Sequence, residues 1–284
     1  MPHNDKAFIE LMLDACHANI SQGKPTPPDK IFHLTDSDGL LGILKSKTLW
    51  SSLATSLNDC MEIRHALHEA EDILRVRLRE NASEYYSSLL AYTLDPSSAP
   101  PEVQAEVSAF VISFCDRCSK SGQWLHYGKR GRGIAIGFSP EIAGTMKRTL
   151  VKIDYDLNSQ RTRLASLIDT GRAIVDGFPA NMTEKIRTSQ TRLAAHIVSL
   201  YLPMLAAMMK HPAFREEDEW RLVGFHIVLN GKILADKSGR DEIKYRRSNE
   251  SLVPYEEVSF AGLSKAITEV VVGYSAPETL VVAV

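Results

Sequence analysis

The stretch that decides the fold is Phe214-Arg215-Glu216-Glu217-Asp218-Glu219-Trp220-Arg221-Leu222-Val223, in which four consecutive acids lead into a strand pattern. Apolar and polar residues alternate from Glu219 to Phe225, so this segment is expected to be a β-strand. A period of two places Glu217, Glu219 and Arg221 on one face of the strand. Carboxylates beside a fixed cation are more often part of a site than of simple packing, so the stretch also predicts a functional site.

The length and charge of the chain exclude several classes of protein. With 284 residues, 44% of them hydrophobic, the chain is long enough to bury a substantial core. A formal net charge of −2 gives no overall attraction to nucleic acid or to an anionic membrane, so a dedicated DNA-binding protein is disfavoured. The N-terminus has no signal pattern, and no stretch approaches the roughly 20 apolar residues that span a bilayer. We therefore expect a cytoplasmic protein without membrane contact.

The cysteines give little support to metal or redox chemistry. Only Cys115 and Cys118 are close together, as a CxxC motif. A structural zinc site needs a second such pair, and a thioredoxin-type motif opens a helix in a βαβ unit. We expect reduced cysteines and no bound metal.

Hydrophobic periodicity divides the chain into an N-terminal helix with a Pro-rich link, residues 1–29, and a single α+β domain, residues 30–284. Helical insertions are expected at about 60–101 and 157–210, and Pro203 is expected to kink or break the second. Because strands and helices do not alternate as βαβ units, the central sheet should be mixed or antiparallel. The apolar helix Leu193–Met209 is either core or a homodimer interface.

Two groups of polar residues accompany the first elements. His33 and Thr35 lie on one face of a short predicted strand, where a histidine can exchange hydrogen bonds near neutral pH. A structural histidine is the commoner case. Asn58 or Asp59 can cap the helix that follows, with Glu62 as the acid of a capping box.

A third group lies between two confident strands. It contains Trp124, His126 and Tyr127, followed by the loop Lys129-Arg130-Gly131-Arg132-Gly133. Glycines let a backbone approach a ligand closely, and Arg or Lys can pair with phosphate. The glycines enter a strand rather than a helix, so the loop is neither a Walker loop nor a Rossmann turn, and a solvated basic turn is equally compatible with it.

The order of these motifs resembles the bacterial family known as domain of unknown function 2971 (DUF2971). The landmarks that carry the resemblance are Phe32-His33-Leu34-Thr35, Gly42-Ile43-Leu44, Leu49-Trp50, Leu57-Asn58-Asp59 with Glu62, Ser113-Phe114-Cys115, Trp124-Leu125-His126-Tyr127, Gly133 to Phe138, Phe214 to Arg221, and Val270 to Gly273. Association with this family suggests a role in bacterial stress or phage defence.

A weaker pattern is similar to that of ADP-ribosyltransferases, which combine a His or Arg on an early strand, a Tyr or Ser on a middle element and a late catalytic Glu; here His33, Tyr127 and Glu217 or Glu219 follow in that order. That resemblance implies an ADP-ribosyltransferase-like fold and NAD as substrate, with His33 holding a ribose, Tyr127 packing on nicotinamide, and Glu217 or Glu219 stabilising an oxocarbenium-like transition state. Tyr127-Gly128-Lys129 and the strand after Arg132-Gly133 are also similar to the Tyr-Gly-x-Gly turn of the poly-ADP-ribose polymerase type, although the glycine spacing after Tyr127 is longer here. Two glutamates also stand where one is needed.

The leading hypothesis is therefore an NAD-using transferase or glycohydrolase with an unidentified protein or nucleic-acid acceptor. Its catalytic candidates are Glu217, Glu219, His33 and Tyr127, and its ligand-binding candidates are Thr35, Trp124, His126, Arg132, Arg221 and Arg246. One alternative is a metal-dependent nuclease or phosphoesterase that uses the acids Glu216 to Glu219. Another is a non-catalytic sensor of a nucleotide or phosphate ligand, bound through His33, Arg130, Arg132, Arg221 and Arg246.

Overall fold

The computed structural model describes residues 3–21, 23, 25–57, 61–100, 105–229, 232–233, 242–248 and 251–283. The α-helices in these ranges are α1 (His3–Ser21), α2 (Ser37–Ser46), α3 (Met61–Glu80), α4 (Glu84–Leu94), α5 (Ser121–His126), α6 (Ile142–Thr145), α7 (Leu157–Asp176), α8 (Glu184–Ala206) and α9 (Glu278–Ala283). The strands are β1 (Ile31–Thr35), β2 (Thr48–Leu53), β3 (Ala105–Cys115), β4 (Ile134–Phe138), β5 (Thr149–Lys152), β6 (Glu219–Leu229), β7 (Lys232–Ile233), β8 (Lys244–Ser248), β9 (Ser251–Ser259) and β10 (Ile267–Val272). None of the described helices is long and apolar enough to cross a membrane.

The predicted α+β class is confirmed, and the sheet is antiparallel. Its order is β10-β4-β1-β3-β2-β9-β8, and β6 pairs with β3, β5 and β7. The longest pairing joins β3 to β6 over residues 105–115 and 219–229. The alternating segment identified from sequence is therefore a central strand.

The sheet forks along β3. Because β6 occupies one edge of β3, the strands β1 and β2 share the other edge. β1 pairs there through Phe32 with Cys115, and β2 through Ser52 and Leu53 with Val111 and Phe110. We call β10, β4 and β1 the first leaf, and β2, β9 and β8 the second leaf.

The long helices α1, α3, α4, α7 and α8 pack against one face of the sheet, which we call the helical face. The side chains of Val111 and Val223 on this face join a core built with α1, α3, α4, α7 and α8. Met12 and Cys16 of α1 are fully buried in that core, so the N-terminal helix is part of the main body of the fold. α8 continues to Ala206, one turn beyond Pro203, and most of its length is buried within the chain's own core.

The opposite face carries a second core, which contains Ile112, Phe114, Trp220 and Leu222 of the central strands. Leu40 and Ile43 of α2 and Ile142 of α6 cover it. The alternation in β6 explains the division, since Trp220 and Leu222 point into this core while Glu219 and Arg221 point to the helical face.

A buried charged cluster, Arg148-Glu256-His226, also lies on the opposite face. Glu256 is fully buried and accepts bonds from Arg148 Nη2 at 2.6 Å and His226 Nε2 at 2.9 Å. The Arg148 side chain lies over Gly224, where a Cβ would come within 2.4 Å of its Nε atom. Burial alone would raise the pKa of Glu256, but His226 and Arg148 hold that pKa below its ordinary value of 4.5.

We expect Glu256→Gln to lower stability by about 3 kcal/mol near neutral pH, because it leaves Arg148 without its buried counter-ion. The folded-state pKa lies below the unfolded value, so the carboxylate stabilises the fold above about pH 4.5 and this contribution is lost as pH falls through the folded pKa. Urea unfolding of both proteins from pH 7 to pH 3 checks this. A stability difference that stays constant over that range would contradict it.

Candidate functional site

The acidic stretch lies where β6 begins. Pro212–Glu217 forms a short 3-10 helix, and Asp218 ends it in the left-handed region with φ of 48°. β6 then pairs with β3 so that Glu219 lies opposite Cys115 and Arg221 opposite Ser113. Because a 3-10 helix and a left-handed residue lead directly into β6, the side chains of consecutive acids point in different directions.

Glu219 and Arg221 form a buried ion pair on the helical face. Arg221 is 1% exposed and Glu219 5% exposed. The guanidinium donates to both carboxylate oxygens, from Nε at 2.6 Å and from Nη2 at 2.9 Å, and Nη1 donates to the carbonyl of Ala207 at 3.2 Å. Burial alone would raise the pKa of Glu219, but Arg221, Lys210 and the hydroxyl of Ser113 hold it below its ordinary value. The carboxylate is therefore ionised and committed to Arg221.

Lys210 links this pair to the surface. It follows α8, is 3% exposed, and lies 3.6 Å from Glu219 Oε2 and 2.5 Å from Glu217 Oε2. Its Nζ atom also lies over the ring of Phe214, 4.9 Å from the centroid. A single buried ammonium thus neutralises two carboxylates, one buried and one partly exposed.

Glu217 is the acid of this network that reaches the surface. Its side chain is 21% exposed, and Oε1 accepts a hydrogen bond from the phenol of Tyr127 at 2.8 Å. Tyr127, directly after α5, is 48% exposed. Gln123 of α5 donates to the backbone carbonyl of Glu217 at 2.7 Å, which fixes α5 against the acidic turn. The sequence candidates Tyr127 and Glu217 are therefore brought into contact.

Asp218 is neutralised separately. Lys120 Nζ lies 2.9 Å from Asp218 Oδ2, and Lys152 bonds Oδ1 and the backbone carbonyl of the same residue. These lysines hold the pKa of Asp218 below its ordinary value although burial alone would raise it. Glu216 is exposed. Glu217, Asp218 and Glu219 are thus each paired with at least one cation, and the described residues contain no cluster of three or more metal-ligating side chains.

His33 and Thr35 do not join Glu217. Phe32 pairs with Cys115, which places Phe32 on the helical face and its neighbour His33 on the opposite face, where its ring lies 5.7 Å from Phe114. His33 Nδ1 lies 2.9 Å from the carbonyl of Ser113, so Nδ1 carries the proton and donates it. Burial lowers the pKa of His33 despite this bond. A neutral histidine therefore satisfies the Ser113 carbonyl of β3 at the fork.

Trp124 is a packing residue in this structure. It is 4% exposed, donates from Nε1 to the carbonyl of Cys118 at 2.5 Å, and packs with Phe32, Cys115 and Ala135. His126 is exposed beside Tyr127, with ring centroids 6.4 Å apart. Of Trp124, His126 and Tyr127, Tyr127 is the one whose exposed side chain bonds Glu217.

The glycine-rich loop is shaped by packing. Gly131 has φ of 81° and faces the ring of Tyr274, and a Cβ on Gly133 would lie 2.5 Å from the carbonyl oxygen of Thr35. These glycines permit close contact with other parts of the chain, rather than the ligand approach that the sequence suggested. Arg132 is exposed beside the loop.

The remaining candidates lie elsewhere. Arg246 is on β8 in the second leaf, where Nη2 donates to Ser52 Oγ at 3.2 Å. Asn58 and Asp59 lie outside the described residues, as does the side chain of Glu62. Cys115 and Cys118 are free thiols, and burial raises the pKa of Cys115 to about 12, so that thiol is protonated at neutral pH.

Sequence reasoning missed the cations and hydrogen-bond donors that organise the acids. They are Lys120, Gln123, Lys152 and Lys210, and the phenol of Tyr155 was missed with them. One local feature of the sequence could have drawn attention to Lys210: it is the charged residue that ends the apolar run Leu205–Met209, directly before His211 and Pro212. Tyr155, whose hydroxyl accepts the backbone N–H of Glu219 at 3.1 Å, had no such feature.

These features define a class of α+β protein in which a forked antiparallel sheet holds a buried chain of charges that ends at an exposed Glu–Tyr pair. The family model described as protein of unknown function (DUF2971) matches residues 123–222, which confirms the resemblance to that family. The match covers roughly a third of the chain and spans Tyr127, Lys210, Glu217 and Arg221. Neither the curated proteins nor the solved structures contain a match to the chain.

The two glutamates should differ sharply in their effect on stability. Glu219→Gln leaves the buried Arg221 without a full counter-ion and should cost about 3–5 kcal/mol. Glu217→Gln should lower the free energy of unfolding by only about 1 kcal/mol, because the Glu217 carboxylate is partly exposed. Lys210 also still has a counter-ion in that variant, since Glu219 lies 3.6 Å away.

Equilibrium denaturation of the two variants beside the parent protein measures this contrast. Glu216→Gln is the matched control, since Glu216 is exposed and should leave stability unchanged. Equal losses for the Glu217 and Glu219 variants would contradict the assignment of Glu219 as a structural residue.

Proposed function

We propose that this protein uses NAD as a substrate, as an ADP-ribosyltransferase-like transferase or an NAD glycohydrolase, with Glu217 as the carboxylate that faces the ligand. The observation that carries the proposal is the 2.8 Å contact between Tyr127 Oη and Glu217 Oε1. It joins an exposed aromatic ring to a partly exposed acid from a distant part of the chain.

The chemistry requires an anion beside a developing positive charge. When the glycosidic bond of NAD breaks, its electron pair moves to the nicotinamide ring nitrogen, nicotinamide leaves as a neutral molecule, and the ribosyl group becomes oxocarbenium-like. A fixed carboxylate stabilises that cation mainly in the transition state. Water or an acceptor nucleophile then bonds to the anomeric carbon and loses a proton.

Glu217 is suited to this role by its supports. Lys210 bonds Oε2 and Tyr127 bonds Oε1, so the carboxylate is held in one orientation and stays close to solvent. Glu219 is less suited, because both of its oxygens accept from Arg221 inside the protein. The proposal therefore assigns Glu217 to the reaction and Glu219 to the fold.

Tyr127 supplies the aromatic surface in this proposal. Its ring is about half exposed, so one side can pack against the nicotinamide ring while the hydroxyl remains bonded to Glu217. His33 and Thr35 have no role in it, because they lie on the opposite face of the sheet.

The metal-dependent alternative gains no support from the acids. Asp218 is occupied by two lysines, Glu219 by Arg221, and Glu217 by Lys210. A cation would have to displace those side chains before it could bind.

Release of nicotinamide from NAD by the purified chain tests the proposal. We expect release by the parent protein, at least a hundredfold less by Glu217→Gln, since an electrostatic partner in the transition state is worth about 10²–10³ in rate, and a smaller loss by Tyr127→Phe. Glu216→Gln should retain the parent rate. Absence of release by the folded parent protein, or a parent rate in Glu217→Gln, would overturn the proposal.

A further inference from the structure

The second leaf carries an exposed tryptophan. Trp50 of β2 is 51% exposed, and its ring stacks on Tyr255 of β9 with centroids 4.5 Å apart and an interplanar angle of 35°. Tyr255 is itself buried and supports the indole from below. Trp50 is thus held in place by its contact with Tyr255, while about half of its surface is exposed to solvent.

A cation stands beside this surface. Arg246 of β8 is half-buried, donates from Nη2 to Ser52 Oγ at 3.2 Å, and has a buried Nε with no hydrogen-bond partner. No carboxylate among the described residues pairs with Arg246, whereas Lys244 of the same strand pairs with Glu257 at 3.0 Å. A partly buried guanidinium that has an unused donor, and no carboxylate partner in the described part of the chain, is unusual.

The strand register places these groups on one face. Ser52 lies opposite Tyr255, Trp50 is two residues before Ser52, and Lys244 lies opposite Tyr255 on the other side. Alternation then puts Arg246 on the same face as Trp50. Arg246 contacts Ser52, whose Cα is about 7 Å along the strand from that of Trp50.

We propose that the Trp50–Arg246 surface binds a nucleotide, with the base stacked on Trp50 and a phosphate paired with Arg246. Base stacking on an exposed indole and phosphate pairing with a guanidinium are the two contacts such a ligand needs. A cationic ligand would be repelled by Arg246, and a purely apolar one would leave its donors unpaired. The inference is independent of the proposed function at Glu217.

Tryptophan fluorescence gives a direct readout. The chain has three tryptophans, and Trp124 and Trp220 are each 4% exposed, so a ligand that stacks on the protein surface should quench Trp50. We expect ADP to quench the full chain saturably. Trp50→Leu keeps an apolar contact with Tyr255, and should abolish the ADP-dependent change and weaken binding by calorimetry at least about fivefold.

Arg246→Gln tests the phosphate contact. The parent chain should bind ADP more tightly than adenosine, and the variant should bind the two equally. Tyr245→Ala and Arg247→Gln are matched controls. Both residues are exposed, both are next to Arg246 in sequence, and the alternation of β8 puts both on the face opposite to that of Arg246. Both controls should keep the parent affinity for ADP.

A single-stranded oligothymidylate distinguishes a free nucleotide from a nucleotide unit of nucleic acid. Tighter binding of the oligonucleotide than of ADP, with the same dependence on Trp50 and Arg246, would identify nucleic acid as the source of the ligand. Quenching by ADP that persists in Trp50→Leu, an unchanged preference for ADP over adenosine in Arg246→Gln, or no binding of either probe by the folded parent chain would overturn the proposal.

Discussion

The ion pair between Glu219 and Arg221 is the constraint on which the rest of the site depends. Two full charges are buried between the sheet and its helical layer, and such a pair is tolerated only when the remaining donors and acceptors are satisfied. Arg221 meets this condition by bonding the carbonyl of Ala207, and Glu219 by its proximity to Lys210 and Ser113. The end of α8, the start of β6 and the centre of β3 are thereby held together.

The same constraint gives neighbouring acids different partners and different exposure. The backbone turn at Asp218 directs Glu217 outward to Tyr127 and Glu219 inward to Arg221, although Glu217 and Glu219 are only two residues apart. Lys210 contacts both carboxylates, so one ammonium partly neutralises a buried acid and an acid near the surface. A substitution of either glutamate therefore changes the electrostatic environment of the other, because both contact this lysine.

The fork in the sheet gives the protein two separate polar surfaces. β1 and β2 leave the same edge of β3, and the side chain of His33 bonds the carbonyl of Ser113 where the strands diverge. The Glu217–Tyr127 pair lies by the end of β3 near the first leaf, whereas Trp50 and Arg246 belong to the second leaf. The two proposals consequently rest on different side chains and can fail independently.

The sequence by itself determined the α+β class, the strands β1 and β6, the two helical regions and the alternation that puts Glu219 and Arg221 on one face, because these follow from local periodicity. Its placement of Glu217 on that face was wrong, because Glu217 ends a 3-10 helix and the strand begins only at Glu219. It also placed Tyr127 and Glu217 among the candidates. It could not show that Glu217 and Glu219 have different partners or that His33 lies on the opposite face of the sheet, because both depend on the fork and on which face of each strand meets the helices. Lys210 and Tyr155 were not predicted as part of the site for the same reason, since only the folding of the chain brings them to the acids.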